Sequence, residues 1–240
     1  MPADFSTLDD LFCSVVNNNP ELFYVSSVYS YSYNPSSNMA VELIPAYRYS
    51  AEEAAAMQAA IDASLNEIAS WVPEGADVLT KAKVVHDWLV YNVTYDDVAA
   101  ELGDSEYDNG TPWNAYGALV ERDAVCQGYS LAFMAAMRYL GVDSGDVAYV
   151  SSDSHSWNAL RYDGNWYHID VSWDDPGVTG ESYDWHEVSG YADTTYFMKS
   201  TAAIQAADPS ASHAFWDPEE IVCDSWAFDD WMWVDYNGAQ

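Results

Sequence analysis

Three stretches of the chain repeat their apolar residues at helical spacing, and two others alternate them. Met57, Ile61, Leu65 and Ile68 share one face of a predicted helix that opens at a capping box, Ser50 with Glu53, and stops at Trp71-Val72-Pro73. After a turn at Glu74 to Asp77, a second helix is expected over about 78–92, with Val85, Trp88 and Leu89 as its apolar stripe. A third is expected over 124–140. Tyr129, Phe133, Ala136 and Leu140 fall on one of its faces, and Gly141 stands where a C-terminal glycine belongs. The period then changes to two. Residues 155–162 and 166–171 alternate on either side of Asp163-Gly164, a pair that favours the type I′ turn of a tight hairpin.

The remaining segments read less regularly. Residues 1–49 look like a lead-in of short strands and turns: one strand opened by Pro20 to Val25, a tyrosine-rich run from Val28 to Tyr33, and another from Val41 to Tyr49 interrupted at Pro45. Residues 94–112 read as an exposed acidic loop and 113–120 as a short helix or turn. Val147 to Val150 begins the strand region, a Gly- and Asp-rich loop runs from Asp174 to about Gly190, and Thr195 to Met198 reads as a strand. A tail rich in Trp and Asp follows. No internal repeat and no linker marks a boundary, so a lead-in over 1–75 is expected to pack on a core over 76–240 as one unit.

Composition narrows the classes. Of 240 residues, half are hydrophobic and 15% aromatic, enough for a real core. The charge is extreme: 39 Asp and Glu against 7 Lys and Arg, a net −32. Such a surface repels nucleic acid and anionic lipid. No window offers the roughly 20 apolar residues of a membrane span, and no leader with a basic and then an apolar region is visible. Of three cysteines, Cys13 and Cys223 lie near the two ends and are read as separate thiols rather than a disulfide.

The third, Cys126, opens the predicted third helix. There the helix dipole and unpaired N–H groups favour a thiolate and an oxyanion beside it, and Gly128 would keep the next turn slim for a substrate. The hairpin supplies partners. A two-residue turn sets Tyr162 opposite Asn165, Trp157 opposite Asp170 and His155 opposite Ser172. His155 and Asp170 then become diagonal neighbours on one face, roughly 7–8 Å apart at the backbone and within side-chain reach. Asp170 would orient one imidazole nitrogen and leave the other for the thiol. His168 shares that face and is read as a core histidine. His86 is read as structural, and His186 and His213 lie in loops with no partner apparent.

Other chemistries draw on the same residues. His155, His168, Asp170 and Asp174 could ligate a divalent ion, and Asp174, Asp175 and Asp184 calcium. No CxxC, HExxH or EF-hand spacing supports either, so no metal and no cofactor is expected. Eleven Trp and nineteen Tyr raise a carbohydrate-binding surface as an alternative. Trp157 falls on a face expected to be core. Trp113, Trp166 and Trp173 cluster near the proposed site in sequence, and Trp173 and Trp157 are the candidate walls of a substrate groove.

Several runs together resemble the bacterial transglutaminase-like superfamily, which shares a papain-like core with many cysteine proteases. They are Asn114 to Val120 with Val125 to Ser130, Ser154 to Asn158, and Gly164 to Pro176. Lys81 to Val90 with Tyr95-Asp96 is similar to the helix preceding the nucleophile, and Tyr196 to Ser200 with His213 downstream is similar to the closing segment. The resemblance implies an α+β fold with a nucleophile helix packed on an antiparallel sheet. It implies Cys126 as nucleophile, His155 as general base and acid, and Asp170 as orienter. Tyr116, or Gln127, is the candidate helper at the oxyanion hole. The expected function is cysteine-dependent acyl transfer or amide hydrolysis through a thioester, on a peptide or protein substrate, cell-envelope substrates included. The alternative is a non-catalytic cell-surface interaction module that keeps the fold. With its acidic, Lys-poor composition the chain reads as secreted or surface-exposed, its signal or anchor lying outside this sequence. Neither the oligomeric state nor the acyl acceptor follows from the sequence.

Overall fold

The computed structural model describes residues 5–37, 39–102, 110–175, 192–214, 221–231 and 233. A helix, α1 (Phe5–Asn17), stands where strands and turns were expected. Its signal is thin: Leu8 and Phe12, one turn apart, are buried, whereas Leu11 and Val15 face outward and blur the period. Pro20–Leu22 forms a 3-10 turn, for which the fixed φ of proline suits the first position, so the strand expected there starts later. The antiparallel pair β1 (Val25–Asn34) and β2 (Met39–Tyr47) follows. β2 runs through Pro45, opposite Tyr29, because in a two-stranded sheet one side of each strand needs no donor.

The capping box forms as read. Ser50 Oγ accepts from the Glu53 N–H and Glu53 reaches back to the Ser50 N–H, opening α2 (Ala51–Trp71). Ile61, Leu65 and Ile68 are buried, and Ser64 Oγ donates to the Leu119 carbonyl at 2.6 Å. α3 (Val78–Asn92) starts at Asp77, whose carboxylate accepts from the Thr80 N–H at 2.8 Å. Residues 94–102 are not a plain loop. β3 (Thr94–Tyr95) pairs in parallel with β4 (Asp123–Ala124), and α4 (Asp97–Leu102) begins where Asp96 accepts from the Ala99 N–H. Gly117–Glu121 makes a π-helical turn.

α5 (Cys126–Tyr139) lies across an antiparallel sheet ordered β5 (Val147–Ser151), β6 (Ser156–Tyr162), β7 (Asn165–Ile169), β8 (Phe197–Lys199). α6 (Val171–Asp174) leaves β7, and α7 (Thr201–Ala207) leaves β8. Phe133, Met134 and Met137 of α5, Trp88 and Leu89 of α3, and Leu160, Ile169 and Phe197 of the sheet share one core. Asn158 Nδ2 donates to the Ser130 carbonyl, fastening β6 to α5 near the sulfur. Arg138 reaches back from α5 to the Asn18 carbonyl at 2.7 Å. No helix among the described residues is long and apolar enough to cross a membrane. Cys13 is exposed and Cys223 buried, and they form no disulfide.

Gly128 has a structural reason the sequence did not suggest. A Cβ there would lie 2.4 Å from the Pro112 carbonyl oxygen and 2.8 Å from the Ala124 Cβ, so the glycine lets the 111–114 turn close against the first turn of α5. Gly128→Ala is therefore expected to destabilise the protein by about 1–3 kcal/mol in urea unfolding and to slow Cys126 alkylation, because the displaced backbone carries the thiol.

Candidate functional site: a Cys126–His155–Asp170 constellation

The predicted hairpin register is the observed one. Tyr162 pairs with Asn165 and Asn158 with Ile169, and the turn residues Asp163 and Gly164 have the positive φ values, 50° and 81°, of a type I′ turn. His155 immediately precedes β6. Asp170 immediately follows β7, where its carboxylate caps α6 by accepting from the Trp173 N–H. The diagonal relation thereby becomes a contact: His155 Nε2 lies 2.5 Å from Asp170 Oδ2. Cys126 heads α5 and is hydrogen-bonded to His155, which leaves Nδ1 as the imidazole atom for the sulfur.

Electrostatics follow from these contacts. Burial alone would raise the Cys126 thiol. His155 first, and the polar groups of Ser156 second, outweigh it and hold the thiol below its usual value. Burial alone would lower His155, but the Asp170 carboxylate and the sulfur hold it well above the usual imidazole range. Burial also works against ionised Asp170, yet the two facing imidazoles keep it far below the usual carboxylate range. A thiolate, an imidazolium and a carboxylate in line is the charge state this geometry favours. Cys126 and His155 each keep 9% of their surface exposed, so neither is sealed from solvent.

The helix start is less open than its sequence suggested. Val125 offers no side-chain cap, but the Cys126 N–H is taken by the Tyr95 hydroxyl. Tyr95 is brought there by its β3 pairing with Ala124 and stacks on Tyr129, with ring centroids 6.3 Å apart. Gln127 is half-buried and lines a small cavity with Trp113, Asn114, Arg48 and Phe23, on the side of the lead-in. Tyr116 packs against the main core, its N–H donating to Asn114 Oδ1 at 2.8 Å. Trp157 is 1% exposed and stacks on His155 at 5.6 Å, so it backs the imidazole rather than walling a groove. Trp173 stays half-buried and tilts against His155 at 5.6 Å, which keeps it as a wall candidate.

Of the residues in the rival metal reading, His155 and Asp170 stay together while His168 and Asp174 take other partners. His168 accepts from Trp157 Nε1 at 3.0 Å and meets Thr201 Oγ1 at 3.1 Å; burial first, and the charge of His213 second, push it down to about 3, which keeps it neutral. Asp174 bonds His86 and the Tyr196 N–H, and Asp175 accepts from the Tyr129 hydroxyl. Asp184 and His186 lie outside the described residues. The ligand-capable atoms of His155, Asp170 and His213 do lie within 4.8 Å of one another, but their closest approaches are hydrogen bonds among themselves.

His213 is the residue the sequence reading left without a partner. It is buried, with Nε2 2.9 Å from Asp170 Oδ2 and Nδ1 3.0 Å from Asp208 Oδ2. The signal available was local: Asp208, five residues upstream, accepts from the N–H groups of Ser210 and His213 and folds that turn inward. His86 is likewise structural in a fuller sense than expected. It bonds Asp87 and Asp174, while Lys83 Nζ bonds both Asp87 oxygens at 2.6 Å, all four side chains being buried.

The described residues form a mixed helix and sheet architecture, with a cysteine at a helix start near a His-Asp pair on a sheet. Residues 66–171 match the family model of the transglutaminase-like superfamily. The chain is also 26% identical over 135 residues to kyphoscoliosis peptidase of Mus musculus, covering 50% of this chain and 20% of that protein. A solved structure, "Crystal structure of a TGase", aligns with a TM-score of 0.44 at 15% identity, covering 77% of this chain and 51% of that one. The chain thus spans about a fifth of the curated relative it matches.

Proposed function

We propose that the protein is a cysteine-dependent acyltransferase or amidase acting on peptide or protein amides. The observation that carries this reading is the line of contacts from Cys126 through His155 to Asp170, with Nε2 of the imidazole fixed at 2.5 Å on the carboxylate. The thiolate attacks an amide carbonyl and forms a C–S bond. The imidazolium gives its proton to the departing amine as the C–N bond breaks, leaving a thioester. His155 then takes a proton from an incoming amine or water, which attacks the thioester and returns the thiolate. An amine acceptor gives transamidation; water gives hydrolysis. The match of residues 66–171 to the superfamily model supports this chemistry without choosing between the two.

The test is the pH profile of iodoacetamide labelling, with sites located by mass spectrometry. Cys126 should react fast at about pH 6–7, while exposed Cys13 follows an ordinary thiol profile. His155→Ala should remove that advantage. If Cys126 labels slowly and indifferently to His155, the catalytic reading fails and the fold serves interaction instead.

A further inference from the structure

An apolar groove of about 320 Å³ lies between α1 and the β1–β2 pair. Every described side chain that lines it is aliphatic, aromatic or proline, and three of them, Leu11, Val15 and Tyr47, are 57%, 46% and 63% exposed. Its volume falls within the range of ligand-binding clefts, roughly 300–1,000 Å³. The groove is continuous with the small cavity that reaches Gln127, because Val16, Leu22 and Val25 line both. Gln127 follows Cys126 directly in α5. The charge around the groove is one-sided. Residues 1–47 hold no Lys and no Arg, while Asp10 on α1 and Glu42 on β2 stand exposed. A second copy of the chain would bring another net −32 and the same acidic lead-in, and anionic lipid is repelled in the same way. A peptide segment with apolar side chains between basic ones meets both features: apolar surface leaves water in the groove, and opposite charge meets the acidic flanks.

We propose that the groove between α1 and β1–β2 docks an apolar peptide segment flanked by Lys or Arg, and that this segment is part of the substrate whose amide reaches Cys126. The inference rests on the acyl-transfer reading of the thiol site. Docking of this kind selects a substrate by residues remote from the reacting amide, and the binding energy gathered there serves to position that amide. The walls shared at Val16, Leu22 and Val25 set the direction: a chain seated in the groove continues past Gln127 toward the sulfur.

The probe is a fluorescein-labelled peptide of alternating Leu and Ala with a pair of Lys at each end, compared with the same peptide ending in pairs of Glu. Fluorescence anisotropy with the full chain should show the Lys-ended peptide binding about tenfold tighter or more. That gap should close in about 1 M salt, where charges act only within about 3 Å. Leu11→Asp and Tyr47→Asp each remove exposed apolar surface and add an acid. Each should weaken the Lys-ended peptide about tenfold, whereas attraction by charge alone would tighten it. Equal binding of the two peptides, or binding that neither variant weakens, overturns the proposal. So does a wild-type dimer that Leu11→Asp dissociates in sedimentation, since a second copy would then hold the groove. The peptide comparison needs no variant, so it decides even where a variant misfolds. Saturating Lys-ended peptide should also slow iodoacetamide labelling of Cys126, and unchanged labelling overturns the segment's place in the substrate. Labelling without peptide separates the two readings. Ordinary labelling indifferent to His155 removes the catalytic role and leaves the anisotropy untouched, while an activated Cys126 with no peptide binding removes only the docking site.

Discussion

Cys126→Ser is expected to lower kcat/KM on a peptide-amide substrate by about 10⁴-fold or more, with urea stability nearly unchanged. Serine keeps the position at the head of α5, and its hydroxyl still meets His155. What it lacks is acidity: a thiol held below its usual value can exist as a thiolate beside an imidazolium, and an alcohol cannot. His155→Ala should fall about as far, since the sulfur then loses the partner that offsets its burial. The double variant should be scarcely worse than either single one, because residues acting as a unit are not additive. Ammonia or amine release, followed against a screened glutamine or peptide substrate, is the measurement. A drop of tenfold or less in Cys126→Ser, about 1.4 kcal/mol, would rule out a covalent role for the sulfur.

Asp87→Ala should produce the largest loss of stability, about 3–5 kcal/mol in urea unfolding. The carboxylate is fully buried, bonded through both oxygens to Lys83 Nζ at 2.6 Å and through Oδ1 to His86 Nδ1 at 2.9 Å. Removing it strands an ammonium in the core of α3 and deprives His86 of one of its two carboxylates. The paired change Lys83→Met with Asp87→Leu removes both charges and keeps volume, and should restore most of the loss. If Asp87→Ala costs less than about 1 kcal/mol, within the range of an exposed pair, the ammonium must have found another way out of its desolvation.

The parts of the molecule legible in its sequence are those fixed by local rules. A two-residue Asp-Gly turn admits one register, and that register alone places His155 and Asp170 on one face. The capping box at Ser50 and the stripe of α2 were equally local. The N-terminal helix was not legible, because Leu8 and Phe12, the two buried positions among described residues 8–17, do not make a period. His213 escaped for another reason. It meets Asp170 across 43 positions of chain, and no spacing rule connects them. Likewise the pairing of His86 with Asp174 spans 88 positions. Tyr95 was read as part of a helix-flanking run, and only its bridge to Ala124 brings it to the Cys126 N–H.

The six residues from Asp170 to Asp175 send three carboxylates in three directions: Asp170 to the two imidazoles, Asp174 to His86 on α3, and Asp175 to the Tyr129 hydroxyl on α5. Each destination belongs to a different part of the fold. A single residue inserted here would turn all three side chains out of alignment together, and no one substitution could bring them back. Loops elsewhere can lengthen by small steps, each tolerable by itself. This segment offers no such steps, so its length can change over evolutionary time only by giving up the site it assembles.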